Sequence, residues 1–273
     1  MMRKFMAIVA VAAGAVGTAY AAEPPAKAPA PKADLTQLTF GTLRSLSESD
    51  TRAKLTAWLT VSGKFDVKAI EAIYAGDKAP LEKFLATVAI GEPALKKIID
   101  DARDLTLTPP TEVPAAVKAV KDPFVKSNLA MMFARTLSAR KVYEEAIAAT
   151  VEVVPEQLIE PSAFYFFKTV AEHSVAGYDK KKKVDALSSV QRLLDDVLDA
   201  PDRYRTVATL IFFDIQNWAK DDKDLGNIGK LMDNSGRRLD LARGGKTTQD
   251  IQKKILFRLD EKIKELENQQ KGS

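Results

Sequence analysis

The chain has 273 residues, 46% of them hydrophobic and 29% charged, which is enough for one large or two small domains with a real core. Its formal net charge of +4 is a small excess that does not by itself indicate a nucleic-acid partner. The chain has no cysteine and a single histidine, His173, which excludes disulfides, thiolate metal sites and multi-histidine zinc sites.

Residues 1–21 have the pattern of a secretory signal peptide. Arg3 and Lys4 precede a short apolar run, and the segment ends in Ala19-Tyr20-Ala21, an A-x-A cleavage signal. The run is too short and too rich in alanine and glycine for a comfortable membrane span, although an uncleaved anchor is the alternative. We therefore expect a periplasmic or otherwise extracytoplasmic protein with no transmembrane segment after cleavage.

Residues 22–34 form a proline-rich linker. The stretch 23–33 contains four prolines, which oppose both helix and strand. We expect an extended spacer that tethers the folded part.

Helix signals dominate the rest, which we divide into residues 35–154 and 155–270, together one continuous domain. Leu35, Leu38, Leu43 and Leu46 share one face of the first predicted helical stretch. Further along, helices are predicted to start at Ser49 or Asp50, at Asp66 and at Asp122-Pro123. Gly63 and Gly76 are predicted to end the first two of these helices. The proline-rich stretch 105–114 forbids a continuous helix there.

Four adjacent aromatic residues, 164–167, follow Pro161 on one predicted helix. They spread around the helix, so neighbouring helices should enclose them; the alternative is an aromatic platform for a ligand or glycan. His173 lies on the same helix and is interpreted as structural or partly exposed.

The last two predicted helices form a hairpin. The first covers about 225–243, and the second follows Thr247 and Thr248, which are good N-cap residues. One apolar face of the second helix comprises Ile251, Ile255, Leu259, Ile263 and Leu266. We expect the second helix to bury this face, with the first helix among its packing partners, and to close the array.

The turn between them is rich in glycine and positive charge. Gly244 and Gly245 suit a left-handed helix cap, and two spacings, Asp233–Arg237 and Asp240–Arg243, allow surface ion pairs. A basic cluster surrounds a helix N-terminus, which predicts an anion-binding site formed by Arg237, Arg238, Arg243, Lys246 and Thr247. The alternative is a glycine cap with solvated charged neighbours.

The segment RRLDLARGGKTTQDIQKKILFRLDEKIKELE, with APDRYRTVA at 200–208, resembles the tail of a family of uncharacterised exported α-helical bacterial proteins. No activity or catalytic residue comes with this resemblance.

These patterns predict an all-α fold: an irregular antiparallel helical array, either a bundle or a short α-solenoid, closed by the C-terminal hairpin.

We find no convincing strand and no catalytic set, metal site or cofactor motif. Three functional hypotheses follow. The first is a non-enzymatic interaction or scaffold module in the cell envelope, with a protein or envelope partner and no nucleic acid. The second is a binding protein for an anionic ligand or envelope polymer through Arg237 to Lys246. The third is a carboxylate-based hydrolase, which would need two convergent buried carboxylates in a cleft.

Overall fold

The structure is a computed structural model, and it describes residues 41–177, 180–219, 221 and 223–271. The predicted signal peptide and linker, together with Leu35 and Leu38, lie outside these residues.

The described residues form an all-α fold, as predicted. Their only strand-like feature is an isolated parallel bridge between Leu43 and Val197. A short 3-10 helix covers Pro155–Gln157. Twelve α-helices lie within the described ranges: α1 Glu48–Val61, α2 Val67–Ala75, α3 Pro80–Gly91, α4 Pro93–Arg103, α5 Ala115–Lys118, α6 Pro123–Ala139, α7 Tyr143–Ala149, α8 Pro161–Ala176, α9 Lys180–Asp195, α10 Asp202–Gln216, α11 Leu225–Asp240 and α12 Lys246–Lys271.

Most helix boundaries follow the local signals in the sequence. The carboxylates of Asp66 and Asp122 accept hydrogen bonds from backbone N–H groups in the first turns of α2 and α6, as predicted. Gly63 follows α1 with a φ of 69°, a conformation that favours glycine. The cap of α1 was predicted wrongly, because Ser47, rather than Ser49 or Asp50, caps this helix.

The segment 41–46 is not helical, which corrects the prediction for Leu43 and Leu46. It lies along the α9–α10 connection, where the Leu43 N–H donates to the Asp196 carbonyl and the Leu198 N–H donates to the Leu43 carbonyl. Leu43 is buried. The apolar spacing correctly indicated that Leu43 is buried, but the segment that buries it is extended and not helical.

The core is built from alternating helices. The helices α4, α6, α8 and α10 form a row in which each packs on the next, while α7 and α9 pack beside them. This arrangement favours the solenoid alternative, because helices two apart in the chain are stacked. One apolar cluster runs from Leu43 to Ile215, so it crosses the division drawn at 154/155. The described residues form one compact unit.

The hairpin of α11 and α12 has its own small apolar cluster. The cluster contains Ile228, Leu231, Ile251 and Ile255, with Leu259 packed against it. The predicted antiparallel return of α12 onto α11 is confirmed.

The prediction that α12 buries its whole apolar face is wrong. Ile263 and Leu266 are 53% and 50% exposed. The reason is length: α11 has 16 residues and α12 has 26. Lys223, just before α11, already reaches Glu265, so the last part of α12 extends beyond its partner.

Within the described part of the chain, no helix combines the length and the apolar character needed to cross a bilayer.

Candidate functional site

Three of the five predicted site residues bind carboxylates on α7. Arg237 Nη2 and Arg238 Nη1 both contact Glu144 Oε1, at 2.7 and 2.5 Å. Arg243 Nη1 contacts Glu145 Oε2 at 2.7 Å. The three arginine side chains are only 9%, 12% and 12% exposed. We call Arg237, Arg238 and Arg243, together with Glu144 and Glu145, the arginine clamp.

The clamp also holds backbone carbonyls outside the hairpin. Arg237 Nη1 donates to the Lys141 carbonyl at 2.7 Å, and Arg243 Nη2 donates to the Pro110 carbonyl at 3.0 Å. The Arg237 guanidinium lies 5.1 Å from the ring centre of Tyr143. The clamp therefore fastens α11 and the hairpin turn to α7 and to the proline-rich stretch.

The other two predicted residues are not part of this cluster, because Lys246 and Thr247 lie on the surface. The N-cap prediction for Thr247 and Thr248 is also wrong, since α12 begins at Lys246 and both threonines lie in its first turn. Thr248 is fully buried and accepts a hydrogen bond from Arg238 Nε at 2.9 Å. Its hydroxyl donates to the Arg243 carbonyl.

The turn differs from the prediction in its backbone as well. The left-handed residue is Ala242, with a φ of 57°, and neither Gly244 nor Gly245 has a positive φ. The Arg243 N–H donates to the Arg238 carbonyl at 2.8 Å, the long hydrogen bond of a Schellman helix end. The predicted local ion pairs are replaced, because Arg237 and Arg243 reach α7 instead.

The charge state of Glu144 follows from the clamp. Burial alone would raise its pKa, but hydrogen bonds from Arg237 and the charges of Arg237 and Arg238 outweigh burial and lower the pKa to about 2. Relative to the ordinary value of 4.5, this corresponds to on the order of 3 kcal/mol of stabilisation near neutral pH.

A groove of about 610 Å³ lies between α3, α4, α6 and α8. Its floor is apolar, and its lining comprises Leu81, Glu82, Arg103, Leu105, Met132, Arg135, Thr136, Ala139, Arg140 and Phe167. Leu81 and Met132 are buried, whereas Leu105 stands exposed at the rim.

Three arginines border this groove, against one glutamate. Arg103 pairs with Glu82 at 2.7 Å. Arg140 donates to two backbone carbonyls, those of residues 102 and 107, so these bonds do not neutralise its charge. Arg135 lies with its guanidinium 5.4 Å from the ring centre of Phe167, and its side chain is 46% exposed. The groove therefore combines an apolar floor with a cationic rim.

A second concavity, of about 390 Å³, adjoins the clamp. Its lining comprises Lys141, Tyr143, His173, Ser174, Gly177, Asp214, Trp218, Lys230, Asp233, Asn234 and Arg237. It brings together residues of α7, α8, α10 and α11.

A hydrogen-bonded trio centres on Asp214 in this cleft. His173 Nε2 lies 2.7 Å from Asp214 Oδ2, and Trp218 Nε1 donates to the same oxygen at 2.8 Å. Ser174 is not a nucleophile for this histidine, because its hydroxyl donates to the Val170 carbonyl.

The electrostatics of the cleft keep Asp214 charged. Partial burial would raise its pKa, but hydrogen bonds from His173 and Trp218 and the charge of Lys230 lower it. The Lys230 ammonium lies 4.7 Å from the ring centre of Trp218. These contacts fix the α10 end against α11.

Neither concavity could be predicted from the sequence. His173 and Asp214 are 41 residues apart and lie on different helices, so no periodic pattern joins them. The groove arginines are likewise spread over α4 and α6. The only available signal was the run of apolar faces that predicted these helices to pack.

The predicted core role of the aromatic run is confirmed for Phe164 and Tyr165, which are buried. Phe166 stacks on Tyr204 with ring centres 4.1 Å apart. Phe167 differs, since it lies beneath Arg135 at the groove.

Asp100, Asp101 and Glu172 pair with lysine or serine side chains and do not converge on one another. No group of three or more His, Cys, Asp or Glu side chains in the part of the chain that the structure describes is placed to hold a metal ion. Asp100 and Asp101 pair with different lysines, Lys96 and Lys97. Buried Glu172 accepts a hydrogen bond from Ser189 and pairs with Lys168.

No protein-family model, curated protein or solved structure matches this chain. The resemblance of the tail to an exported family stays a prediction.

We predict that Glu144→Gln destabilises the attachment of the hairpin by roughly 3–5 kcal/mol, because it leaves buried guanidinium charge without its partner. Hydrogen exchange of the α11 and α12 amides measures this opening free energy. Glu71→Gln, at an exposed glutamate, is the matched control and should have no effect.

The same measurement has a defined pH dependence. The pKa of Glu144 is lower in the folded protein, so its stabilisation is complete above about 4.5 and is lost as the pH falls towards about 2. Glu144→Gln should remove this loss. Equal protection in the two proteins throughout the range would contradict the clamp.

Proposed function

We propose that this chain is an exported, extracytoplasmic binding protein whose groove holds an acidic, amphipathic segment of a partner protein in the cell envelope. It acts as an interaction module and not as an enzyme. The observation that carries this proposal is the groove with its apolar floor and arginine rim.

The groove matches such a segment in two respects. Apolar side chains of the partner would cover the exposed Leu105 and the half-buried Phe167, which lie above the buried Met132. Carboxylates would accept hydrogen bonds from Arg135 and Arg140. Arg135 lies against the Phe167 ring and 3.9 Å from a Glu160 oxygen, and Arg140 donates to two backbone carbonyls. A carboxylate–guanidinium contact of this kind is worth about 1.5–3 kcal/mol.

Binding is favoured over catalysis by the contacts of the candidate catalytic groups. The Ser174 hydroxyl donates to its own helix. Glu172 is buried beside Lys168, and Asp196 pairs with Arg192. Neither carboxylate lines one of the two concavities described above.

The alternative of an anionic ligand held by residues 237–246 stays a prediction. It is not favoured, because the three arginines already pair with Glu144 and Glu145.

Export rests on the sequence of residues 1–21, and we predict cleavage after Ala21. N-terminal sequencing of the protein recovered from the exported fraction should begin at Ala22. Recovery of intact Met1 in the membrane fraction would contradict export by cleavage.

The groove is tested with a fluorescein-labelled peptide of repeating glutamate and leucine, and with a matched peptide carrying lysine in place of glutamate. We expect the acidic peptide to bind more tightly, with affinity that falls as salt rises. Arg135→Gln should weaken binding by roughly tenfold, since it removes one charge-assisted contact.

Arg203→Gln is the matched control, because Arg203 is also exposed and lies 5.3 Å from the ring centre of Tyr204, outside the groove. It should bind like wild type. Equal binding of the two peptides, or an Arg135→Gln variant that binds normally, would contradict the proposed function.

A further inference from the structure

The hairpin carries apolar side chains that its own core does not use. On α11, Leu225, Met232 and Leu239 recur every seven residues and are 63%, 53% and 49% exposed. On α12, Leu256 and Ile263 are also seven apart and are 63% and 53% exposed. Seven residues are close to two helical turns, so each set forms a stripe along its helix.

The two stripes emerge on the same side of the hairpin. On α11, Met232 follows the buried Ile228 by four positions; on α12, Leu259 and Ile263 follow the buried Ile255 by four and eight. Each step of four turns the side chain by about 40° in the same sense. Because the helices are antiparallel, equal rotation about each axis moves both stripes to one face.

This face is turned away from the rest of the protein. Arg237 and Arg238 project from α11 on the other side of the buried seam, where they reach Glu144 on α7. Two glycines of α11, Gly229 and Gly236, lie beside the stripe, and a Cβ atom built on either would meet nothing within 4 Å. A second helix can therefore approach this face closely.

The face is large enough for a reversible interface. With 16 and 26 residues, α11 and α12 extend about 24 and 39 Å at a rise of about 1.5 Å per residue. Where α12 is matched over the length of α11, about 24 Å of each helix is covered, so at a helix width of about 10 Å the face covers about 480 Å². Two such faces would bury about 960 Å², the size of a weak, reversible interface.

We infer that the occupant is a second copy of this chain, so that two hairpins pack face to face into a four-helix bundle. The two-fold axis runs parallel to the helices, and each α12 lies across the α11 of the other copy. This surface is separate from the groove and does not depend on its function.

The charges fix this choice of axis. Arg238 Nε contacts Thr248 Oγ1 at 2.9 Å, which sets the heights of the two helices in the hairpin. Asp233 lies five residues before Arg238 on α11, and Lys253 lies five residues after Thr248 on α12, so the two lie level. Both are exposed at the edges of the hairpin face, and Asp233 also lines the cleft beside the clamp. A two-fold axis parallel to the helices preserves height, so it brings Asp233 towards the partner's Lys253, twice in the dimer.

The first test is the mass of the full mature chain by light scattering during size exclusion, over a series of concentrations. We expect a dimer that dissociates on dilution. Leu256→Glu and Ile263→Glu should each give a monomer with an unchanged circular dichroism spectrum, because these side chains are exposed in the single chain. Leu210→Glu, at a leucine 62% exposed on α10, is the control and should remain dimeric.

The second test exchanges charges. Asp233→Lys and Lys253→Asp should each raise the dimer dissociation constant by roughly tenfold. An exposed ion pair changes a binding constant by up to about a factor of five, and the dimer contains two such pairs. The double variant, with both changes, should restore wild-type affinity. A monomer at every concentration, a dimer that survives Leu256→Glu and Ile263→Glu, or a double variant no tighter than the single ones would overturn the inference.

Discussion

The arginine clamp is the interaction on which the placement of the C-terminal hairpin depends. The hairpin core consists of only four buried apolar side chains, separate from the main core. Such a cluster holds α11 and α12 together but does not by itself position them on α7. Glu144 and Glu145 do this, because each takes up arginine charge that is largely withdrawn from water. Buried charge of this kind is costly unless it is paired, which makes the attachment sensitive to the loss of one partner.

The clamp also determines which surfaces remain available. By directing Arg237 and Arg238 towards α7, it turns the opposite face of α11 outward, together with the exposed stripe of α12. The same arginines that a sequence reading assigns to ligand binding thus have a structural use. The surfaces left for partners are the groove beside α6 and the outer face of the hairpin, and they present different chemistry. One combines arginines with an apolar floor, and the other is apolar with charges at its edges.

Local features of the fold could be predicted from the sequence, because they arise from interactions between residues near in the chain. Asp66 and Asp122 cap helices whose first turns they precede, and the prolines of 105–114 do interrupt the helices. Periodicity correctly indicated the antiparallel hairpin. Periodicity could not indicate how much of α12 is buried, because the buried length depends on where α11 begins. Ile263 lies level with the residues that precede α11.

The site was less predictable for a related reason. The partners of Arg237 and Arg238 lie 93 and 94 residues earlier in the chain, and local spacing instead indicated Asp233. The left-handed conformation falls on Ala242 although two glycines stand nearby, because the hydrogen bonds of the helix end select its position. Likewise, the groove arginines converge only through packing of α4 on α6.

Glu144 and Arg237 act as a coupled pair that holds the hairpin in place. A double-mutant cycle with Glu144→Gln, Arg237→Gln and the combined variant, read as the free energy of hairpin opening, tests this coupling most directly. We expect a favourable coupling of at least about 1.5 kcal/mol, because the pair is charged, hydrogen-bonded and largely buried. Additivity within about 0.3 kcal/mol would contradict it, since residues that do not interact show independent effects.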